Sequence, residues 1–190
     1  MRAVDNRDLS LLVLLDLSAA FDTVDHHILV NILEQRFGIQ GPALNWFRSY
    51  LTGRTQSFVF GDAMTDAYPV DCSVPQGSVL GPLKFVAYTD DIADTVERRH
   101  GVSLHQYADD KQLLATAKPK HAAHLRQQLC DCVLDVKQWC ASRRLQLNAD
   151  KTEAIWIGSR AAINKPQSPD RTLTIGDTDC LLYTSPSPRD

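Results

Sequence analysis

The sequence predicts an α+β fold, an antiparallel sheet with helices packed on one face. Three observations carry that prediction. Leu9 to Leu17 is an apolar run interrupted by Ser10 and Asp16, and it suits a strand covered on both faces. Val102 to Tyr107 and Lys111 to Thr116 read as two short strands joined through Ala108-Asp109-Asp110, a tight hairpin. Around them lie segments whose apolar residues recur at helical spacing, so strands and helices alternate unevenly about a central hairpin.

The remaining elements follow in order. Asp25 is placed to cap a helix in which Ile28, Leu29, Ile32, Leu33 and Phe37 share a face, and Gly38 stops it. Gly41-Pro42 opens a second helix carrying Leu44, Trp46, Phe47 and Leu51. Gln56 to Phe60 and Tyr68 to Ser73 read as a strand pair around a Gly61-Asp62 turn. Pro75-Gln76-Gly77 breaks the chain before a helix from Ser78 to about Arg98. Pro119 opens another, with Ala122, Leu125, Leu129, Val133, Val136 and Trp139 on its apolar side. Thr152 to Ile157 alternates as a strand, and a loop from Gly158 to Asp170 leads to a last strand at Leu173-Thr174-Ile175.

Bulk properties bound the function. A chain of 190 residues with 44% hydrophobic residues supports one domain with a core. The Leu9–Leu17 run is far shorter than the ~20 residues of a membrane span. The charged start, Met-Arg-Ala-Val-Asp-Asn-Arg-Asp, lacks the apolar core of a signal peptide, so nucleus or cytoplasm is expected, without secretion or a membrane partner. The five cysteines form no C-x-x-C pair and read as buried free thiols rather than zinc ligands. A net charge of −3 with a pI near 6.0 weighs against a nucleic-acid-binding face. The objection weakens if the acids are gathered around metal ions instead of spread over a surface.

Acids do stand where such gathering is feasible. Asp16 ends the first apolar strand and Asp109-Asp110 sits in the hairpin. Carboxylates brought together from neighbouring strand ends repel one another and stay ionised when a cation lies between them. Hard oxygen ligands suit Mg²⁺, which completes its shell with water and substrate phosphates. Two ions ~3.5–4 Å apart can activate an attacking hydroxyl and stabilise a leaving oxygen in phosphoryl transfer. Taken alone, however, an aspartate pair in a turn is usually just a turn, because Asp bonds its own backbone there.

A family resemblance adds to this. Leu15-Asp16-Leu17-Ser18-Ala19-Ala20-Phe21-Asp22-Thr23-Val24 resembles the first catalytic motif of the reverse transcriptases of LINE-type (non-LTR) retrotransposons. Val74-Pro75-Gln76-Gly77-Ser78-Val79-Leu80-Gly81-Pro82-Leu83 resembles their second, Tyr107-Ala108-Asp109-Asp110 their third, and Leu147-Asn148-Ala149-Asp150-Lys151-Thr152-Glu153 their fourth. Trp46-Phe47-Arg48-Ser49-Tyr50-Leu51, with Arg54 and Gln56, is similar to the family as well. The motifs stand in family order across residues 10–158.

The resemblance implies a polymerase palm with part of the fingers, fingers and thumb being incomplete or absent. It implies an RNA-directed DNA polymerase performing template-directed nucleotidyl transfer in retrotransposition by a two-metal-ion mechanism. The cofactor would be Mg²⁺, with Mn²⁺ as a substitute. The partners would be an RNA template, a DNA primer and deoxynucleoside triphosphates. Asp16 and Asp109 would hold the metal ions with help from Asp110. Phe21 would gate the sugar of the incoming nucleotide, Gln76 and Gly77 would line its pocket, and Lys151 would lie near the triphosphate. The isolated chain is expected not to polymerise by itself.

Tyr88-Thr89-Asp90-Asp91 mimics the third motif but continues a helical segment, so a structural role is expected. His26-His27 and the His121/His124 pair are expected to be surface residues, not metal ligands. Ser73 stands where the family usually has glycine, and Lys84 where an apolar residue is usual. The first could force a backbone adjustment. The second would either snorkel to the surface or weaken helix packing. Both suggest a decaying copy, and a degenerate or co-opted fragment without catalysis is the alternative reading. Another Mg²⁺ phosphoryl-transfer enzyme would show an aspartate nucleophile motif or clustered histidines, and neither is present. Group II intron and retron enzymes are the nearest competitors, but Trp46 to Leu51 fits LINE elements better. Residues 180–190, Cys-Leu-Leu-Tyr-Thr-Ser-Pro-Ser-Pro-Arg-Asp, resemble a translated transposon end plus sequencing adapter. They are set aside as a non-native tail, leaving 1–179 as the domain.

Overall fold

A computed structural model of the chain describes residues 8–75, 77–159, 163, 172–175 and 178–186. It opens with β1 (Leu9–Ser18), α1 (His26–Gln35) and α2 (Gly41–Leu51). Four two-residue strands follow, β2 (Thr55–Gln56), β3 (Val59–Phe60), β4 (Ala63–Met64) and β5 (Tyr68–Pro69). Next come α3 (Gly81–Thr89), a π-helical segment at Asp94–Arg99, β6 (Ser103–Tyr107) and β7 (Asp110–Ala117). A 3-10 turn at Pro119–His121 leads into α4 (Ala122–Ser142), then β8 (Gln146–Gly158), β9 (Thr172–Ile175) and β10 (Thr178–Pro186). The chain divides into two compact units, one of residues 1–18, 91–142 and 146–190, the other of 19–90 with 143–145. Among the described residues no helix is long and apolar enough to cross a membrane.

The first unit is built on a six-stranded sheet in the order β6-β7-β1-β8-β10-β9. Every neighbouring pair is antiparallel except β8 and β10. In β1, Leu9, Leu11, Val13, Leu15 and Leu17 are buried, whereas Leu12 and Leu14 are half-buried. The strand therefore has one fully covered face, not the two that its continuous apolar run suggests. Helix α4 packs against β1, β7, β8 and β9. Leu125, Leu129, Val133 and Val136 are buried along it as their spacing predicts, and each such side chain contributes roughly 1.5–3 kcal/mol of transfer free energy. Trp139 differs: it is half-buried and its indole N–H donates to the Asp91 carboxylate at 3.1 Å. Cys130, Cys132 and Cys140 are buried thiols, and burial pushes those of Cys132 and Cys140 up to about 12, while Cys72 is exposed, against expectation.

The helix expected from Ser78 to Arg98 is broken. Thr89 turns its hydroxyl back onto the Phe85 carbonyl at 3.1 Å, a bond that bends helices, and Asp90 N–H reaches the Ala87 carbonyl in a tightened turn. Residues 180–186 of the segment set aside by its resemblance to an adapter lie in a strand. Leu182 to Pro186 pair in parallel with Ala154 to Gly158, in keeping with the strand propensity of Leu-Tyr-Thr.

In the second unit α1 packs on α2 and α3. Asp25 caps α1 as predicted, its Oδ1 accepting from Ile28 N–H at 2.9 Å. Gly38, at φ +66, lets Ile39 N–H close on the Leu33 carbonyl at 3.0 Å. Leu29, Ile32, Leu33, Leu44, Leu51, Phe85 and Tyr88 form the core, whereas Phe37 and Trp46 are exposed. The strand pair expected around Gly61-Asp62 splits in two, β3 pairing with β4 and β2 with β5. All four strands are exposed, so no buried face specifies one longer register. The mimic of the third motif serves structure. Tyr88 Oη donates to the Arg143 carbonyl at 2.5 Å and accepts from Asp25 N–H at 3.3 Å, and Asp90 pairs with Arg36 at 2.6 Å.

Lys84 does not snorkel. It is 2% exposed, with its ammonium 3.5 Å from the centroid of the Tyr50 ring. Burial lowers its pKa, and the facing groups, Tyr50 and Arg54, pull in opposite directions. A cation–π contact returns ~2 kcal/mol when desolvated, less than the several kcal/mol that removing an ammonium from water costs. Lys84→Met is therefore expected to raise unfolding free energy at pH 7 by about 1–3 kcal/mol in denaturant titrations. The sign with pH follows from the lowered pKa. The folded lysine sheds its proton first, so the wild type gains stability as pH rises toward the ordinary 10.5, and the difference narrows. A less stable Lys84→Met at pH 7 would mean that the ring contact outweighs desolvation.

Candidate catalytic carboxylates and the loop after Ser73

The ladder between β1 and β7 runs from Leu9 opposite Ala117 to Leu15 opposite Lys111. The ladder ends there, and Asp16 is the next residue along β1 while Asp110 is the residue before Lys111 on β7. Leu15 and Lys111 are both buried. Alternation thus turns Asp16 and Asp110 to the opposite, more open side, and Asp16 is half-buried while Asp110 is exposed. Asp109 is the second residue of a two-residue turn closed by Tyr107 and Asp110. Ala108, its first residue, has φ +52, the pattern of a II′ turn that glycine normally fills, so the turn stores strain.

Two lysines attend these acids. Lys111 is 2% exposed and donates to the Ala108 carbonyl at 2.5 Å, bracing the turn from beneath. Burial lowers its pKa to about 8 against the charges of Asp109, Cys140 and Asp110, which raise it. Lys151 lies on an irregularity of β8. Leu14 faces Glu153 and Asp16 faces Asn148, so four residues, Ala149 to Thr152, stand opposite Leu15 alone. Thr152 Oγ1 closes the bulge on the Asn148 carbonyl at 2.8 Å. From it Lys151 Nζ reaches Asp16 Oδ2 at 3.6 Å, an exposed pair of little energetic weight.

The donor set suits a hard divalent cation in kind, being carboxylate oxygens on accessible side chains. Among the described residues, though, no three His, Cys, Asp or Glu side chains are gathered closely enough to hold a metal ion. The acids share neighbouring strand ends without being drawn into a cluster, as like charges dictate.

In the second unit Phe21 is half-buried, its ring stacked on that of Phe85 with centroids 4.7 Å apart. Gly77 is exposed with φ +79, and Gln76 lies outside the described residues. Ser73 has φ +91. His26, expected at the surface, is buried and sets its Nε2 2.8 Å from the Ser73 carbonyl; His27 is exposed as expected. A cleft of about 800 Å³ in this unit is lined by His26, His27, Asn31, Glu34, Arg48 and Asp71 among others. Sequence reasoning missed Lys111 and His26. A lysine in phase with buried Leu113 was the available signal for the first; nothing local distinguished His26 from His27.

The model of the family "Reverse transcriptase (RNA-dependent DNA polymerase)" matches residues 2–173. The chain belongs to this family. Relatives include the "RNA-directed DNA polymerase from mobile element jockey" of Drosophila melanogaster, 27% identical over 164 residues, covering 84% of this chain and 18% of the relative. The "Probable RNA-directed DNA polymerase from transposon X-element" of the same organism is 28% identical over 156 residues, covering 82% and 17%. The chain thus spans less than a fifth of the length of the curated relatives it matches. Among solved structures it is similar in fold to the apo telomerase of Candida tropicalis truncated from its C-terminal domain. That match has a TM-score of 0.64 at 12% identity and covers 91% of this chain and 34% of that one. Telomerase from Candida albicans, in complex with a fragment of telomeric RNA, gives 0.56 at 10%, covering 90% and 29%. The LINE-type resemblance of the motifs and the palm-like α+β fold agree with these relatives.

For this reverse transcriptase chain the departure at Ser73 has a measurable cost. The backbone keeps the left-handed conformation that glycine adopts freely, and a serine there costs ~1–3 kcal/mol of strain. Ser73→Gly returns that strain and gives back ~0.4–1 kcal/mol of unfolded-chain entropy. The net expectation is a gain of about 1 kcal/mol, read as a shifted denaturant midpoint at unchanged slope. A loss of stability would show that the serine side chain contributes more than its backbone costs.

Proposed function

We propose that the chain contributes the metal- and nucleotide-binding part of an RNA-directed DNA polymerase, performing template-directed nucleotidyl transfer in retrotransposition. The observation that carries the reading is the placement of Asp16 at the end of β1 and of Asp109-Asp110 at the turn entering its neighbour β7. Asp16, Asp109 and Asp110 would hold Mg²⁺, or Mn²⁺ in its stead. Bound there, the ion supplies charge neutralisation and activation of the primer hydroxyl. The protein's share is to keep the three carboxylates accessible on neighbouring strand ends. Lys151, free to leave its exposed pair with Asp16, would offset charge on the departing pyrophosphate. Gln76 and Gly77 would line the pocket of the incoming deoxynucleoside triphosphate, with an RNA template and DNA primer as the other partners, in nucleus or cytoplasm. A second reading, a co-opted chain that binds partners without catalysis, is favoured by the buried Lys84.

Primer extension separates the two. With the chain spliced into a complete related polymerase, the catalytic reading expects Mg²⁺-dependent DNA synthesis that Asp109→Asn lowers by ~10²-fold or more. Synthesis near the parental rate in Asp109→Asn would end it.

Phe21 would exclude ribonucleotides. A 2′-hydroxyl pressed on its ring has no hydrogen-bond partner, which costs ~1–3 kcal/mol and gives ~10–100-fold rejection. In the same chimera Phe21→Val should keep DNA synthesis while ribonucleotide incorporation rises. A joint fall of both, with a lower Tm, would assign the ring to packing on Phe85 alone.

A further inference from the structure

Three side chains of the second unit converge on the ring of a fourth, Tyr50. Trp46 and Tyr50 stand four residues apart on α2 with their rings stacked, centroids 5.4 Å apart and planes 20° from parallel. Gly53, at φ +67, ends the helix, and Arg54 beyond it brings its guanidinium carbon 5.4 Å from the centre of the Tyr50 ring. Lys84 reaches the same ring from α3, its ammonium 3.5 Å from the centroid. Trp46 is 50% exposed, so an accessible indole stands beside this cationic centre.

The charges there are unmatched. Among the described residues neither cation has a carboxylate partner, and the buried Lys84 ammonium has no hydrogen-bond acceptor. The groups that face it are Tyr50 and Arg54, one a phenol and the other a second cation. Burial raises the Tyr50 phenol, but Lys84 and Arg54 outweigh it and hold the phenol below its ordinary value. The chain as a whole is acidic, with a net charge of −3, so this centre is a local exception. Two cations held together without a counter-ion repel each other and attract an anion, more strongly where water is partly excluded. The indole beside them offers a face to a planar group. Phosphate and planar base occur joined in a nucleic acid strand, and a base is free to stack on a side chain where it is unpaired.

We propose that Trp46, Tyr50, Arg54 and Lys84 form a docking site for single-stranded nucleic acid, an unpaired base stacking on Trp46 and a backbone phosphate on Arg54 within the field of Lys84. The buried charge that weakens the free fold is offset in the complex. The site deepens the polymerase reading by giving the template strand a contact other than the metal-holding acids, and it rests on that reading for the identity of the strand as template.

The test measures binding of an oligouridylate of about 12 nucleotides to the 190-residue chain in EDTA, where no metal bridges phosphate to the acids. Anisotropy of a labelled oligomer gives affinity, and tryptophan emission is followed with the unlabelled one. Wild type should bind with its emission quenched. Trp46→Phe should keep most of the affinity and lose the quenching, because Trp139 is half-buried and Trp156 buried. Trp46→Ala should weaken binding about tenfold, and Arg54→Gln should make the dependence of log affinity on log salt shallower by about 0.7. Lys84→Met separates a ligand site from packing. It should bind about fivefold more weakly although its fold is more stable, a combination that unfolding cannot produce. No binding by the wild type, unchanged affinity in Arg54→Gln and Lys84→Met, quenching that survives Trp46→Phe, or equal binding of a duplex or of oligoglutamate would each overturn the site. Binding as expected beside a chimera that extends no primer would end the polymerase reading and leave the docking site standing.

Discussion

Strand β1 is hydrogen-bonded along both edges, to β7 and to β8, and the first unit is arranged around its register. The register that buries Leu11, Val13 and Leu15 turns Asp16 to the open side beside Asp110. A slip of one residue would exchange the faces, exposing three leucine- and valine-sized side chains and driving a carboxylate under α4. Each apolar side chain lost to water costs roughly 1.5–3 kcal/mol, and a buried unpaired carboxylate costs more. The core and the acidic site are therefore specified by the same alternation, and neither can move without the other.

Regularity ends where the acids begin. The ladders are continuous through the middle of β1, but β8 sets four residues opposite Leu15 alone, and the β6–β7 turn places Ala108 at positive φ. Bulges and strained turns re-aim side chains and concentrate at functional sites. Here they have identifiable supports. Thr152 closes the bulge on Asn148, and the buried ammonium of Lys111 holds the Ala108 carbonyl. That ammonium also sits close to Asp109 and Asp110, so the device that braces the turn offsets part of the repulsion between its acids.

What the sequence made legible was local. The apolar run of β1, the Asp25 cap, the Gly38 stop and the face of α4 all follow from spacing within one or two turns. The aspartates could be placed on strand ends for the same reason. What it hid depends on partners distant in the chain or on a single side-chain bond. His26 and His27 are neighbours, and only the Ser73 carbonyl 47 residues away decides which one turns inward. The break after α3 comes just after the Thr89 hydroxyl bonds backward to Phe85, a contact that spacing does not announce. The small hairpins between Thr55 and Pro69 bury nothing, so no periodicity specified their register. Strand β10 was missed because a resemblance to foreign sequence displaced the propensity of Leu-Leu-Tyr-Thr. Lys84 was legible as a core position; which of its two outcomes held was not.

Ser73 and Lys84 invite the reading of a chain losing its fold, but each departure sits beside a group that absorbs part of its cost. Backbone bonds from Ser73 and Val74 to Val24 and Phe21, with His26 on the Ser73 carbonyl, hold the loop that Ser73 strains, and the Tyr50 ring faces the ammonium that Lys84 buries. Residual penalties of ~1–3 kcal/mol each are large against a typical stability of ~5–15 kcal/mol, yet small enough for a folded state to persist. Both fall in the second unit, whereas Asp16 and Asp110 stand on strands of the first and Asp109 in the turn between β6 and β7. A loss of stability there draws on the folded population without altering the carboxylates themselves. The costs of Ser73 and Lys84 thus bear on how much of the chain is folded, and leave the acids of the first unit as the sequence places them.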